Sequence, residues 1–136
     1  MKTTPLSAGT NGVYRLPRQD VAEDRAGLRV VAADLRRARG KKAALRVLAG
    51  AFSAPAGFGG NWDALNDMLQ DLSWLSGREQ GVVLRLSGTA GFSAAAPEDF
   101  ALLLEILAEA AAYWRGKKRV FVVFCDAAGL PEFPPS

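Results

Sequence analysis

Three apolar runs along the chain have the length and the β-branched content of buried strands. They cover residues 28–33, 82–86 and 119–125, and the last is apolar on both faces, as expected at the centre of a parallel sheet. A fourth run, residues 12–16, is short and is followed by Pro17, so it predicts at most an edge strand. The pattern therefore predicts a sheet of three or four strands.

Between these strands, apolar positions recur with the spacing of an α-helix. The periodic stretches run from about residue 40 to 52, from 61 to 72 or 74, and from 97 to about 114. Asn61 suits the N-cap of the second helix, and Pro97 suits the first turn of the third. Strands that alternate with helices predict an α/β fold, a small parallel sheet packed with helices. The small-residue stretches 53–60 and 88–96 are predicted to be loops.

Length and composition predict a single domain. With 136 residues, of which 49% are hydrophobic, the chain can bury one core. We expect that domain to span residues 12–126, after a flexible lead-in over 1–11 and before a proline-rich tail over 127–136 that stays outside the core. The first residues do not resemble a signal peptide, and no apolar stretch approaches the about 18 residues of a membrane helix. We therefore expect a cytoplasmic protein.

The composition also excludes several chemistries. The chain contains no histidine, so Ser-His-Asp and Cys-His nucleophile pairs and histidine-ligated zinc sites are impossible. Its one cysteine, Cys125, cannot form an internal disulfide, and we expect it to be a buried small hydrophobe. The sequence thus predicts a protein that is not an enzyme and that needs no cofactor or metal.

Charge is distributed unevenly, although the net charge is only +3. Residues 1–46 contain 11 Lys and Arg against 4 acids, which gives +7. Residues 47–77 contain three aspartates and no Lys or Arg, which gives −3, and residues 78–136 sum to −1. A basic chain therefore includes one locally acidic segment.

That acidic segment is the helix predicted after Asn61. Its apolar positions form one stripe, and the opposite side carries Asp63 and Asp67, four residues apart, with no cation to offset their repulsion. One interpretation is a simple hydrated helix face, and another is a docking surface for a basic partner. A catalytic pair of carboxylates is a third interpretation. A phosphate-binding loop is excluded, because the glycines lack the required spacing and the aspartates would repel phosphate.

The same residues resemble a known family. The pattern Gly-x-Asn-x-Asp-Ala-Leu-x-Asp-x-Leu, formed by Gly59, Asn61, Asp63, Ala64, Leu65, Asp67 and Leu69, resembles the barstar family, the intracellular inhibitors of barnase-type ribonucleases. The order of strands and helices over residues 28–125 is also similar to the barstar fold. The resemblance implies an immunity protein that blocks the active site of a basic ribonuclease in a 1:1 complex, with an acidic helix and the loop before it.

The resemblance also implies a set of contact residues. Asp67 matches the aspartate that occupies the substrate-phosphate site, Asp63 matches its neighbour, and Glu109 is the nearest match to a further glutamate, with Glu105 as a substitute. The family's two loop tyrosines are replaced by Gly57 and Phe58, and the tryptophan between its aspartates is replaced by Asn66. The full set of predicted partner-binding residues is Gly57, Phe58, Gly60, Asn61, Asp63, Asn66, Asp67, Asp71 and Glu109.

Two alternatives stay open from the sequence. The basic first third, with Arg36, Arg37 and Arg39 at its densest point, could form an RNA-binding module. No aromatic residue is interleaved there for base stacking, so nucleic acid is not the partner we expect. The departures from the family pattern also allow an adaptor of the barstar fold that binds a protein other than a nuclease. We expect a free monomer and no association with membranes.

Overall fold

The structure is a computed structural model that describes residues 6–16, 28–54, 60–71 and 81–133. Its strands are β1 (Gly12–Arg15), β2 (Leu28–Asp34), β3 (Gly81–Ser87) and β4 (Val120–Cys125). Its α-helices are α1 (Lys41–Ala51), α2 (Trp62–Asp71), α3 (Ala90–Ala95) and α4 (Pro97–Gly116), and a 3-10 turn covers Ala8–Thr10. The predicted α/β class is confirmed.

The strands form one parallel sheet in the order β1-β4-β3-β2. The central strand β4 is buried along its whole length, because its side chains alternate between two apolar layers. Phe121, Val123 and Cys125 belong to the larger cluster, which also contains the buried residues of all four helices. Val122 and Phe124 belong to the smaller cluster on the other face. The helices therefore cover one face of the sheet, and all of them lie on the same side as α2.

The smaller cluster corrects two predictions about the ends of the chain. Leu6, from the predicted lead-in, is fully buried in that cluster, and Phe133, from the predicted tail, packs against it. Phe133 contacts the Tyr14 ring edge to face, with 5.1 Å between centroids, and the Arg15 N–H donates to the carbonyl of Pro131 at 2.8 Å. None of the described α-helices packs on this face, and residues from both ends of the chain cover its apolar side chains.

A second correction concerns residues 88–96, where the small residues predicted a loop. Residues 90–95 form α3, a short helix that follows Thr89. Phe92 is fully buried and packs edge to face on Phe100, with 6.0 Å between ring centroids. Tertiary packing of this one aromatic ring stabilises a helix whose other residues are alanine, glycine and serine.

Candidate functional site

The predicted acidic helix forms as α2, and local interactions set its start. The Asn61 carboxamide oxygen accepts a hydrogen bond from the Ala64 N–H at 2.7 Å, which confirms Asn61 as the N-cap. Gly60, just before it, is exposed and has φ of 70°, in the left-handed region that favours glycine. Asp63 lies in the first turn, where a negative charge is stabilised by the helix dipole.

One side of α2 is buried and the other is acidic. Leu65, Met68 and Leu69 are buried in the main core. Asp63, Asp67 and Asp71 are exposed at successive four-residue intervals, so they form a continuous strip that we call the acidic face. Among the described residues, the ion pairs join Arg15 to Glu132 and Arg36 to Asp34, and none includes a carboxylate of the acidic face. Its three carboxylates are therefore available to an external cation.

Beside the acidic face lie two half-buried amides, Asn66 and Gln70. The Gln70 carboxamide donates to the Asn66 Oδ1 at 3.3 Å, one helical turn apart. This bond orients both amides and leaves Asn66, a predicted contact residue, partly accessible next to Asp67.

Two tryptophans fix α2 against α4. Trp62, in the first turn of α2, donates its indole N–H to the Asp99 carboxylate in the first turn of α4, at 3.2 Å. Trp114, near the end of α4, donates to the backbone carbonyl of Leu69 at 2.7 Å. The second bond ties the last described turn of α2 to α4. Because the starts of the two helices meet, and their ends meet, α2 and α4 run parallel and side by side.

Sequence reasoning did not identify these two contacts. The paired residues are 37 and 45 positions apart in the chain, and neither pair belongs to a local motif. A tryptophan at the end of an amphipathic helix signals burial, which is correct for Trp114, but it does not indicate which backbone group the indole meets.

Of the two candidate glutamates on α4, helical geometry brings Glu109 nearer to α2. Both Glu105 and Glu109 are exposed. With about 100° per residue, Glu109 lies about 80° and Glu105 about 120° from Asp99, on the side away from the sheet, whereas Trp114 lies about 60° from Asp99 on the other side. Both glutamates are therefore on the solvent side of α4, and Glu109 is the nearer of the two to the α2 contacts by about 40°.

The predicted contact residues divide into three groups in the structure. Asn61, Asp63, Asn66, Asp67 and Asp71 share α2 and its cap, with Gly60 directly before them. Glu109 is on the neighbouring helix. Gly57 and Phe58 lie outside the described residues.

The described part of this surface presents hydrogen-bond acceptors for a cationic partner, the three carboxylates and the two amides. In the described parts of the chain, no group of three or more cysteine, aspartate or glutamate side chains is arranged to hold a metal ion. The thiol of Cys125 is buried in the core on the helix-covered face of the sheet. Within the described ranges, no helix combines the length and the apolar character needed to span a bilayer.

Comparison with known protein families finds a match over most of the chain. The family described as "Barstar (barnase inhibitor)" matches residues 28–126, which begin with β2 and end just after β4. The match includes all four α-helices and the strands β2, β3 and β4, and it leaves β1 outside. A search of curated proteins finds no match for this chain.

Proposed function

Because the chain belongs to the barstar family, we propose that it inhibits a barnase-type ribonuclease by inserting the acidic face of α2 into the cationic active site. The observation that carries this proposal is the strip of three exposed carboxylates, which have no cationic partner among the described residues. A ribonuclease binds its substrate's phosphates with Lys and Arg side chains. Carboxylates on a rigid helix can bind the same side chains through charge-assisted hydrogen bonds.

Asp67 is the central residue of the proposal. It lies in the middle of the acidic face, and in the family motif its position is that of the aspartate that occupies the substrate-phosphate site. Asp63 and Asp71 lie one turn to either side and can contact neighbouring cations. We propose that Gly60 and Asn61 contact the ribonuclease at the start of the helix, together with Gly57 and Phe58 of the preceding loop.

The proposal describes a cytoplasmic inhibitor that forms a 1:1 complex and carries out no reaction of its own. The capped start of α2, and the two tryptophan bonds to α4, hold the carboxylates in place before the partner arrives. Such preorganisation reduces the entropy lost on binding, so more of the interaction energy contributes to affinity.

Inhibition of a purified barnase-type ribonuclease tests this function. We expect wild-type protein to inhibit stoichiometrically, and Asp67→Asn to raise the inhibition constant about 30-fold or more, since buried charged contacts are typical interface hot spots. Glu132→Gln is the matched control, because it removes the same charge from an exposed carboxylate on the far side of the sheet. We expect this control to inhibit like the wild type.

The outcome that contradicts the assigned site is equal inhibition by Asp67→Asn and wild type. Folded wild-type protein that inhibits no barnase-type ribonuclease would contradict the function itself. That result would favour the adaptor hypothesis, in which the same surface binds a protein of another class.

A further inference from the structure

A group of basic side chains lies on α1 and on the connection that leads to it from β2. Its members are Arg37, Arg39, Lys41, Lys42 and Arg46, and all of them are exposed. Residues 35–62 contain no aspartate or glutamate, so no acid is interspersed among these charges. None of the five forms an ion pair with another described residue. We call these five residues the basic cluster.

Local contacts give the basic cluster a defined shape. Lys42 and Arg46 are one turn apart on α1, so they lie on the same flank of the helix. A guanidinium N–H of Arg39 donates to the backbone carbonyl of Arg36 at 2.8 Å. The same guanidinium lies beside Gly91 of α3, where an added Cβ would come within 2.8 Å of the Arg39 Cζ. Arg39 is therefore held in place while it stays exposed.

Interactions within α1 do not explain why its first turn is basic. Lys41 and Lys42 lie where the helix dipole disfavours positive charge, and no acid lies in that turn. Lys42 and Arg46 also repel each other at four-residue spacing. Both effects destabilise the isolated helix, and an external anion that contacts the basic cluster would relieve them.

The composition of this surface favours a nucleic acid over a protein or a membrane. The cores of protein interfaces are enriched in aromatic side chains and depleted of lysine, and helices that lie in a membrane surface expose large apolar side chains. In the described part of the chain, the exposed large hydrophobic residues are Val30, Leu102 and Tyr113, and none belongs to α1 or its connection to β2. Lysine and arginine without apolar neighbours are suited to phosphates, which they bind through charge-assisted hydrogen bonds.

We propose that the basic cluster binds the phosphate backbone of single-stranded RNA without reading its sequence. Residues 36–51 contain no aromatic residue, which argues against stacking of bases and leaves contact with phosphates open. The basic cluster spans ten positions of the chain, at most about 22 Å. A flexible single strand can bend to contact all five cations, whereas a stiff duplex would contact only some of them.

This inference does not depend on the proposed function. The basic cluster belongs to α1 and the connection before it, and the acidic face belongs to α2. Binding of RNA and inhibition of a ribonuclease are therefore separate properties of two surfaces, and either can be absent while the other is present.

Fluorescence anisotropy of labelled oligouridine of about 20 nucleotides, titrated with the whole chain, tests the proposal. Each phosphate contact on a single strand contributes about −0.7 to the slope of log K against log salt, so five cations predict a slope of about −3. We expect Lys41→Gln/Lys42→Gln to weaken binding about tenfold at about 50 mM salt and to make the slope shallower by about 1.4. Oligocytidine of the same length is expected to bind within about threefold of oligouridine.

The matched control is Lys117→Gln/Lys118→Gln, which removes the same charge from two exposed, adjacent lysines. These residues precede β4, so they lie at the opposite edge of the parallel sheet from the connection after β2. We expect this variant to bind RNA within about twofold of wild type. Thermal unfolding of both variants at the wild-type temperature would show that neither change acts through the fold.

Three results would overturn the proposal. Equal losses in the two double variants would mean that RNA responds to net charge and not to the basic cluster. Folded wild-type protein that does not bind oligouridine at about 50 mM salt would exclude the site. Tighter binding of a DNA duplex of about 20 base pairs than of oligouridine would exclude the single strand as its ligand. None of these results bears on inhibition of a ribonuclease, which is measured separately.

Discussion

Cys125 shows how position decides the chemistry of a residue. It ends β4 on the helix-covered face of the sheet and is fully buried, and burial raises the pKa of its thiol. A raised pKa leaves less thiolate at any lower pH, and the thiolate is the reactive form. We expect the native thiol at pH 8 to react with a chromogenic disulfide reagent at least about 100-fold more slowly than in denaturant. Reaction at equal rates in both conditions would contradict this burial.

The burial and the hydrogen bonds of Asn11 could not be predicted from the sequence around it. It belongs to the predicted lead-in, yet it is buried, and its carboxamide donates to the carbonyls of Ala111 and Arg119 and accepts from the Phe121 N–H. These partners lie more than 95 positions away, in α4, in the turn before β4 and in β4 itself. An asparagine in a polar stretch predicts a turn, so no local pattern indicates that it links three distant backbone groups.

Two glycines in different elements should respond to alanine in opposite ways. Gly50 lies in α1 and has open space where a Cβ would be, whereas a Cβ on Gly81 of β3 would lie 2.6 Å from the Cβ of Val120 on the neighbouring strand. We expect Gly50→Ala to raise the free energy of unfolding by about 0.5–1 kcal/mol, because alanine favours the helix. Gly81→Ala is expected to lower it by about 1–3 kcal/mol, because the strands must shift.

Urea denaturation of the two variants and the wild type measures both effects under the same conditions. Because each change adds one methyl group, the composition of the two variants is identical. A Gly81→Ala variant that is as stable as the wild type or more stable would contradict the strand spacing at Gly81, and a destabilised Gly50→Ala variant would contradict the open space at Gly50.

At the level of elements, the order of apolar and polar residues predicts a helix or strand correctly wherever that pattern lies within the segment itself. The run at β4 and the stripe of Leu65 and Leu69 on α2 are such segments, and both are correctly predicted. The acidic face was also visible, because helical spacing and charge are local properties. Residues 90–95 form α3 through the burial of Phe92, and the contact between α2 and α4 depends on two distant tryptophans. These features arise from tertiary packing, so a pattern within one segment could not predict them.

For the whole molecule, a group of exposed basic side chains lies on elements other than the acidic helix. Arg37, Lys41, Lys42 and Arg46 are exposed along the connection after β2 and the first half of α1. Lys41 and Lys42 occupy the first positions of α1, where the helix dipole disfavours cations, and no acid lies in that turn. The net charge of +3 thus combines a basic region with an acidic one, and these would act on a charged partner in opposite directions.

The rate of association with a basic ribonuclease distinguishes these two contributions. If the net charge dominated, the two proteins would repel, and added salt would accelerate association. If the acidic face steers the encounter, salt slows association, because a local field acts strongly within the Debye length of about 8–10 Å.

We expect the stopped-flow association rate to fall about tenfold between about 50 mM and about 500 mM salt. The double variant Asp63→Asn/Asp67→Asn is expected to lose most of this dependence, whereas Lys41→Gln/Lys42→Gln should make it steeper. A rate that rises with salt in the wild type would contradict steering by the acidic face, since only repulsion between the net charges is relieved by screening.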